Sequence, residues 1–119
     1  MEQIVNEKAN IVVDILGTPY FVEEDTEALK LINADGECQA YSKTIRYREL
    51  DDFLFGAASL TEKRERRREV IRHEIVHAFF HESGLEQYSD DEVLVAWIAL
   101  QFPKISRAVE SILEQLEDK

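Results

Sequence analysis

His73, Glu74 and His77 stand in the string His-Glu-Ile-Val-His, two imidazoles four residues apart with a carboxylate beside the first. On an α-helix that offset brings both rings to one face about one turn apart, so both can meet one metal ion while Glu74 stands at its edge. The chemistry implied is zinc-dependent hydrolysis. Zn2+ lowers the pKa of a bound water towards about 7, Glu74 takes the proton, and the hydroxide attacks a carbonyl polarised by the same ion. Glu74 then hands the proton to the leaving nitrogen.

Such a string arises by chance in on the order of one chain in a few hundred of this length, so its surroundings decide its weight. Val70 lies three residues before His73, Ile75 and Val76 fill the variable positions, and Ala78 and Phe79 follow. This is the apolar setting that a buried metal helix needs. Ser59-Leu60-Thr61-Glu62 is a capping box and Gly84 a C-terminal stop, so the sequence predicts a helix over about 61–83 with the histidines inside it.

Catalytic zinc takes three protein ligands and keeps a fourth position for water. The downstream candidates are His81, Glu82, Glu86, Asp90, Asp91 and Glu92. His81 lies roughly 12 Å along the same helix from His73, too far to share a small ion, and is expected behind the ligands or against the substrate. Glu92 is the expected third ligand, because it opens the next helix beyond Gly84, with Ala96 and Ala99 small enough on its face for close helix approach. Asp91 is the reserve. Ser89-Asp90-Asp91-Glu92 also reads as a capping box, in which Glu92 would only bond the backbone of Ser89. A second donor to the developing oxyanion is sought in His81, Tyr41 and Tyr88, although either tyrosine also reads as a core or rim aromatic. Cys38 is expected to be a small buried hydrophobe rather than a ligand or nucleophile.

The elements that must position these residues follow from pattern. Ile11 to Val22 reads as a strand or hairpin around Gly17-Thr18-Pro19, and Glu24 to Ala34 as a short acidic helix burying Ala28, Leu29 and Ile32 and stopped by Asp35-Gly36. Two short strands, 38–41 and 44–48, flank Ser42-Lys43. After the metal helix come a turn from Gly84 to Tyr88, a helix from Ser89 to Pro103, and a last helix over about 104–117 whose apolar stripe needs a partner face. Strands first and helices afterwards imply an α+β fold, a small antiparallel or mixed sheet packed against the metal helix and two further helices, in a single domain over 1–119.

The net charge of -11 argues for solubility and against nucleic acid as the main partner. It is unevenly spread. Lys63, Arg64, Arg66, Arg67, Arg68 and Arg72 face only Glu65 and Glu69 locally, which makes that segment +4 and the remainder -15. The cluster reads as the solvated back of a helix pairing with the acidic remainder, or alternatively as a patch for an acidic peptide or nucleic acid. A single cysteine, no membrane-length apolar run and no leader pattern at the N-terminus point to a cytoplasmic protein.

The segments RHEIVHAFFHESGL and DEVLVAWIALQFPKI resemble the small phage- and prophage-encoded zinc metallopeptidases related to the ImmA/IrrE type. In that family a helix after the His-Glu helix supplies a glutamate ligand and ends at a proline about eleven residues on; here Pro103 stands eleven after Glu92. ILGTPYFV and DGECQAYSKTIRYR are similar to the family's first strand and its pre-helix strand pair. Departures are Val93 and Trp97, where the family often has alanine and then an aromatic three residues on, and a short connection to the ligand helix. The resemblance implies a minimal zincin-like fold and cleavage of a protein or peptide, such as a repressor or regulator. Two other functions compete: a zinc-stabilised protein that holds a peptide without cutting it, and a metal-free acidic interaction module.

Overall fold

The first hairpin turns on two residues. Leu16 and Gly17 have φ of 51° and 93°, the positive pair that a type I′ turn demands and that suits the twist of the flanking strands. They join β1 (Ile11–Ile15) to β2 (Thr18–Glu24) in antiparallel register, with Val13 opposite Tyr20. The computed structural model describes residues 11–53 and 58–117; residues 1–10, read above for a leader pattern, lie outside it.

Asp25 caps α1 (Thr26–Leu31) by accepting from the Ala28 N–H at 3.1 Å. The helix stops earlier than the Asp35-Gly36 signal suggests, because Asn33 takes a left-handed φ of 54° and Ala34 N–H closes onto the Leu29 carbonyl. Of its expected buried side only Leu29 is fully enclosed, while Ile32 is exposed. Beyond it, β3 (Gly36–Gln39) pairs antiparallel with β4 (Thr44–Tyr47), and β4 pairs parallel with β2. The sheet is therefore mixed, in the order β1-β2-β4-β3, with β3 on an edge.

One sheet face is apolar and carries Ile15, Tyr20, Val22 and Ile45, all buried, against Ala78 and Ile75 of α2 (Leu60–Glu82). On the other face Arg46 stands between its cross-strand neighbours Glu23 and Glu37, bonding Glu37 at 3.0 Å. This is an α+β fold, with helix α2 laid on one side of a four-stranded sheet. No helix among the described residues is long and apolar enough to cross a membrane.

Both ends of α2 are built as local sequence signals demand. Ser59 and Glu62 exchange both capping-box bonds. At the far end Gly84, at φ 78°, lets Leu85 N–H reach the Phe80 carbonyl and its own N–H reach that of His81, a Schellman closure. Three cations of the basic cluster on α2 are paired within the chain: Arg66 with Asp35 and Glu69, Lys63 with Asp51, Arg68 with Glu65.

The C-terminal region differs from the sequence expectation. The expected turn from Gly84 to Tyr88 contains a short helix, α3 (Glu86–Ser89), and the two expected helices are one, α4 (Glu92–Glu117), with Pro103 inside it. A proline removes the N–H that would bond the carbonyl four residues back, here Ala99. Arg72 of α2 supplies the missing donor, its Nε–H bonding the Ala99 carbonyl at 3.1 Å. The first half of α4 packs on α2 through Val95, Ala99 and Ile98 against Val76 and Phe80, whereas every residue from 104 to 117 is exposed.

Replacing Arg72 with Met should leave the Ala99 carbonyl without a donor and lower stability by about 1–3 kcal/mol in urea titration. A second outcome concerns Glu82, whose carboxylate accepts from Lys43 at 2.7 Å and from the Tyr20 hydroxyl at 2.6 Å. These bonds, Lys43 first, hold its pKa down to about 2 from the ordinary 4.5. A depressed carboxylate stabilises the fold above its unfolded pKa and loses that contribution as pH falls through the folded one. The stability gap between wild type and Lys43→Met should therefore be constant above pH 4.5 and close towards pH 2; a gap that persists in acid would show that Lys43 acts by packing alone.

Candidate metal centre

α2 carries two packing faces, one with Ile75 and Ala78 towards the sheet and one with Val76 and Phe80 towards α4. At 100° per residue, His73, His77 and His81 fall in the valley between them. The histidines are therefore placed at the seam where sheet edge, α2 and α4 meet. Their ring centroids at 73 and 77 lie 5.0 Å apart.

Glu92 completes the group from the first turn of α4. Its Oε1 lies 2.9 Å from His73 Nε2 and 3.3 Å from His77 Nε2. One ligand atom from each of His73, His77 and Glu92 falls within 4.8 Å of the others. Two imidazole nitrogens and a carboxylate oxygen so disposed could hold a metal ion. His77 is 13% exposed, His73 28% and Glu92 66%, so the group opens to solvent on the Glu92 side.

Asp91, the reserve ligand, has another task. Its carboxylate accepts from Leu94 N–H at 3.1 Å and caps α4. The capping box read at Ser89 to Glu92 does not form. Ser89, only 3% exposed, turns its hydroxyl into the cleft, where Oγ lies 2.7 Å from His77 Nδ1 and 3.3 Å from His81 Nε2. The sequence reading missed Ser89 as a site residue, because a serine four residues before a helix's first apolar positions is indistinguishable from a cap.

Glu74 is buried at 8% exposure beneath the histidines. Burial first, then the charges of Glu92 and Glu37, push its carboxyl up to about 8. The edge strand presses on it. A Cβ at Gly36 would stand 2.5 Å from Val70 Cγ1 and 3.1 Å from Glu74 Oε2, so only glycine lets β3 lie this close to α2.

His73 and Glu74 divide two adjoining clefts. One, about 440 Å³, is polar and holds His77, His81, Ser89, Glu92 and Cys38. The other, about 480 Å³, has Val70, Ala96, Ala99 and Leu100 as apolar walls and Arg66 and Asp35 at its rim. His81 is thus brought to the site, on the wall behind His77. Tyr41 is not; it is fully exposed in the β3–β4 turn, because the short hairpin directs it to solvent. Tyr88 packs on Phe80 at 5.9 Å and lines neither cleft. Cys38 is half-buried against the sheet core and borders the polar cleft; burial, followed by the Glu74 charge, raises its thiol to about 12, so it stays protonated and unreactive at neutral pH.

Comparison with known protein families, curated proteins and solved structures finds no match to this chain, so the roles of these residues rest on their geometry. Substitution separates ligand from cap. Asp91→Ala should cost about 1 kcal/mol of stability by loss of the cap and leave zinc affinity unchanged. Glu92→Ala should weaken zinc binding by more than the roughly 10–100-fold typical of residues standing behind a ligand, measured by competition with a chelator.

Proposed function

We propose that this chain is a zinc-dependent peptidase of the phage-type small metallopeptidase kind, acting on an extended segment of a protein or peptide. The observation that carries the reading is the convergence of His73 Nε2 and His77 Nε2 on the Glu92 carboxylate, with the buried Glu74 carboxyl beside them. When bound there, zinc supplies a water that ionises near neutral pH and a Lewis acid for the carbonyl.

The chain's own residues do the rest. Glu74 is one residue from His73 and borders both clefts; a cation held by the histidines would draw its raised pKa back down, and the carboxylate so formed would stand where it can take a proton from water and deliver it to the leaving nitrogen. Substrate alignment falls to the edge of the sheet. β4 is interior to the sheet, and the edge beside the cleft is β3, whose Gly36 and Cys38 line it. An extended peptide added there would lie along Gly36 to Gln39 over the histidines, the strand-addition mode of recognition. The apolar-walled cleft between Val70, Ala99 and Leu100 then receives a substrate side chain next to the scissile bond. One cysteine, unpaired, agrees with a reducing, cytoplasmic setting.

Glu74→Gln is the deciding variant. It should bind zinc at one ion per chain, as wild type does, and lose peptide hydrolysis by about 10²–10⁴-fold. Undiminished cleavage by that variant would refute the mechanism. Wild-type protein that binds zinc and a peptide yet turns over no member of a peptide library would instead identify a holding protein.

A further inference from the structure

The geometry points to Ser89 as a positioning residue whose hydroxyl reverses its hydrogen bonds when a metal ion takes His77, carrying the change of state to His81. The inference rests on the metal-site reading above and concerns residues behind the ligands. Three distances define a chain: Glu92 Oε1 to His77 Nε2 at 3.3 Å, His77 Nδ1 to Ser89 Oγ at 2.7 Å, and Ser89 Oγ to His81 Nε2 at 3.3 Å.

A hydroxyl carries one proton and two lone pairs, and a neutral imidazole carries one proton on one of two nitrogens. Those counts fix the direction of every bond. With Glu92 as the group facing it, His77 Nε2 meets an acceptor and so keeps the proton. His77 Nδ1 is then an acceptor, Ser89 O–H donates to it, and the Ser89 lone pair receives Nε2–H of His81. All three bonds run one way, from His81 towards Glu92.

A metal ion at His77 Nε2 requires the lone pair there, so the imidazole proton must move to Nδ1. Nδ1–H now points at Ser89 Oγ, which must accept. The hydroxyl proton turns to His81 Nε2, and His81 keeps its own proton on Nδ1. One proton leaves His77 Nε2 and one is taken up at His81 Nδ1, so the number held by the chain is unchanged while every bond in it is inverted. A carboxylate in place of Ser89 would serve only the loaded state, and alanine neither. A hydroxyl serves both. Burial of Ser89 to 3% exposure keeps water from substituting for it.

The test uses nitrogen-15 imidazole spectra of the full chain, metal-free and zinc-loaded, at one pH about two units above the ordinary imidazole pKa so that the rings are neutral. His81 should change from the Nε2–H to the Nδ1–H tautomer when zinc is added. Ser89→Ala should abolish that response and weaken zinc binding by about 10–100-fold, and Ser89→Thr, which keeps the hydroxyl, should restore both. Zinc bound at one ion per chain with the His81 tautomer unchanged would overturn the relay and leave the metal site standing. A chain that binds no zinc would overturn both.

Discussion

The arrangement depends on the contact between α2 and α4. Val76 on one helix meets Val95 and Ala99 on the other, and that small patch is what holds the N-terminal turn of α4 over the histidines. Glu92 is three residues from Val95 and seven from Ala99, so the three share one side of the helix. Its carboxylate therefore inherits its position from apolar packing rather than from the strength of its own bonds. An exposed carboxylate near neutral imidazoles gains little by itself. The short link through Gly84 and α3 fixes the height at which α4 begins, and the packed patch fixes its rotation.

A second constraint works from the sheet side. Glu74 lies against β3, and Gly36 is the residue that lets the strand cover it. Covering removes water from the carboxyl and raises its pKa. The same closeness puts the free edge of β3 along the metal cleft. A single missing side chain thus sets both the burial of Glu74 and the closeness of the strand edge. On the far side of the sheet Arg46, between Glu23 and Glu37, ties β3 to β4 and β4 to β2.

What the sequence discloses and what it conceals divides along the range of the interactions. Helix α2 is legible almost to the residue, because its capping box and its Gly84 closure are complete within a few positions of each end. The first hairpin, the α+β order and the pairing of His73 with His77 are legible for the same reason, whereas Glu92 reads as either ligand or cap, and its place beside the histidines depends on the contact between α2 and α4. Three features are not. The capping box at Ser89 fails because the hydroxyl finds His77 and His81, twelve and eight residues away in sequence, and Asp91 is left to cap. The helix stop at Pro103 fails because the donor that replaces the proline's lies on another helix. The order of the strands is not legible either: β4 is interior because β2 and β3 both reach it, a fact about pairing that no strand's composition contains.

The brace at Ala99 also separates two regions of α4 by stability. Residues 104 to 117 have no buried side chain, and an isolated helix of about that length is marginal in water. That half opens locally at small free-energy cost. Fraying that began at the C-terminus would run inwards until it met residues held by something besides their own backbone bonds. The first such point is the Ala99 carbonyl, bonded to Arg72, and next to it stand the buried Ala99 and Val95. Arg72 adjoins His73 in sequence, so the barrier to fraying and the first histidine of the group are set on the same turn of α2. Glu92 lies on the protected side of it. The position of its carboxylate is thereby insulated from the exposed half of its own helix.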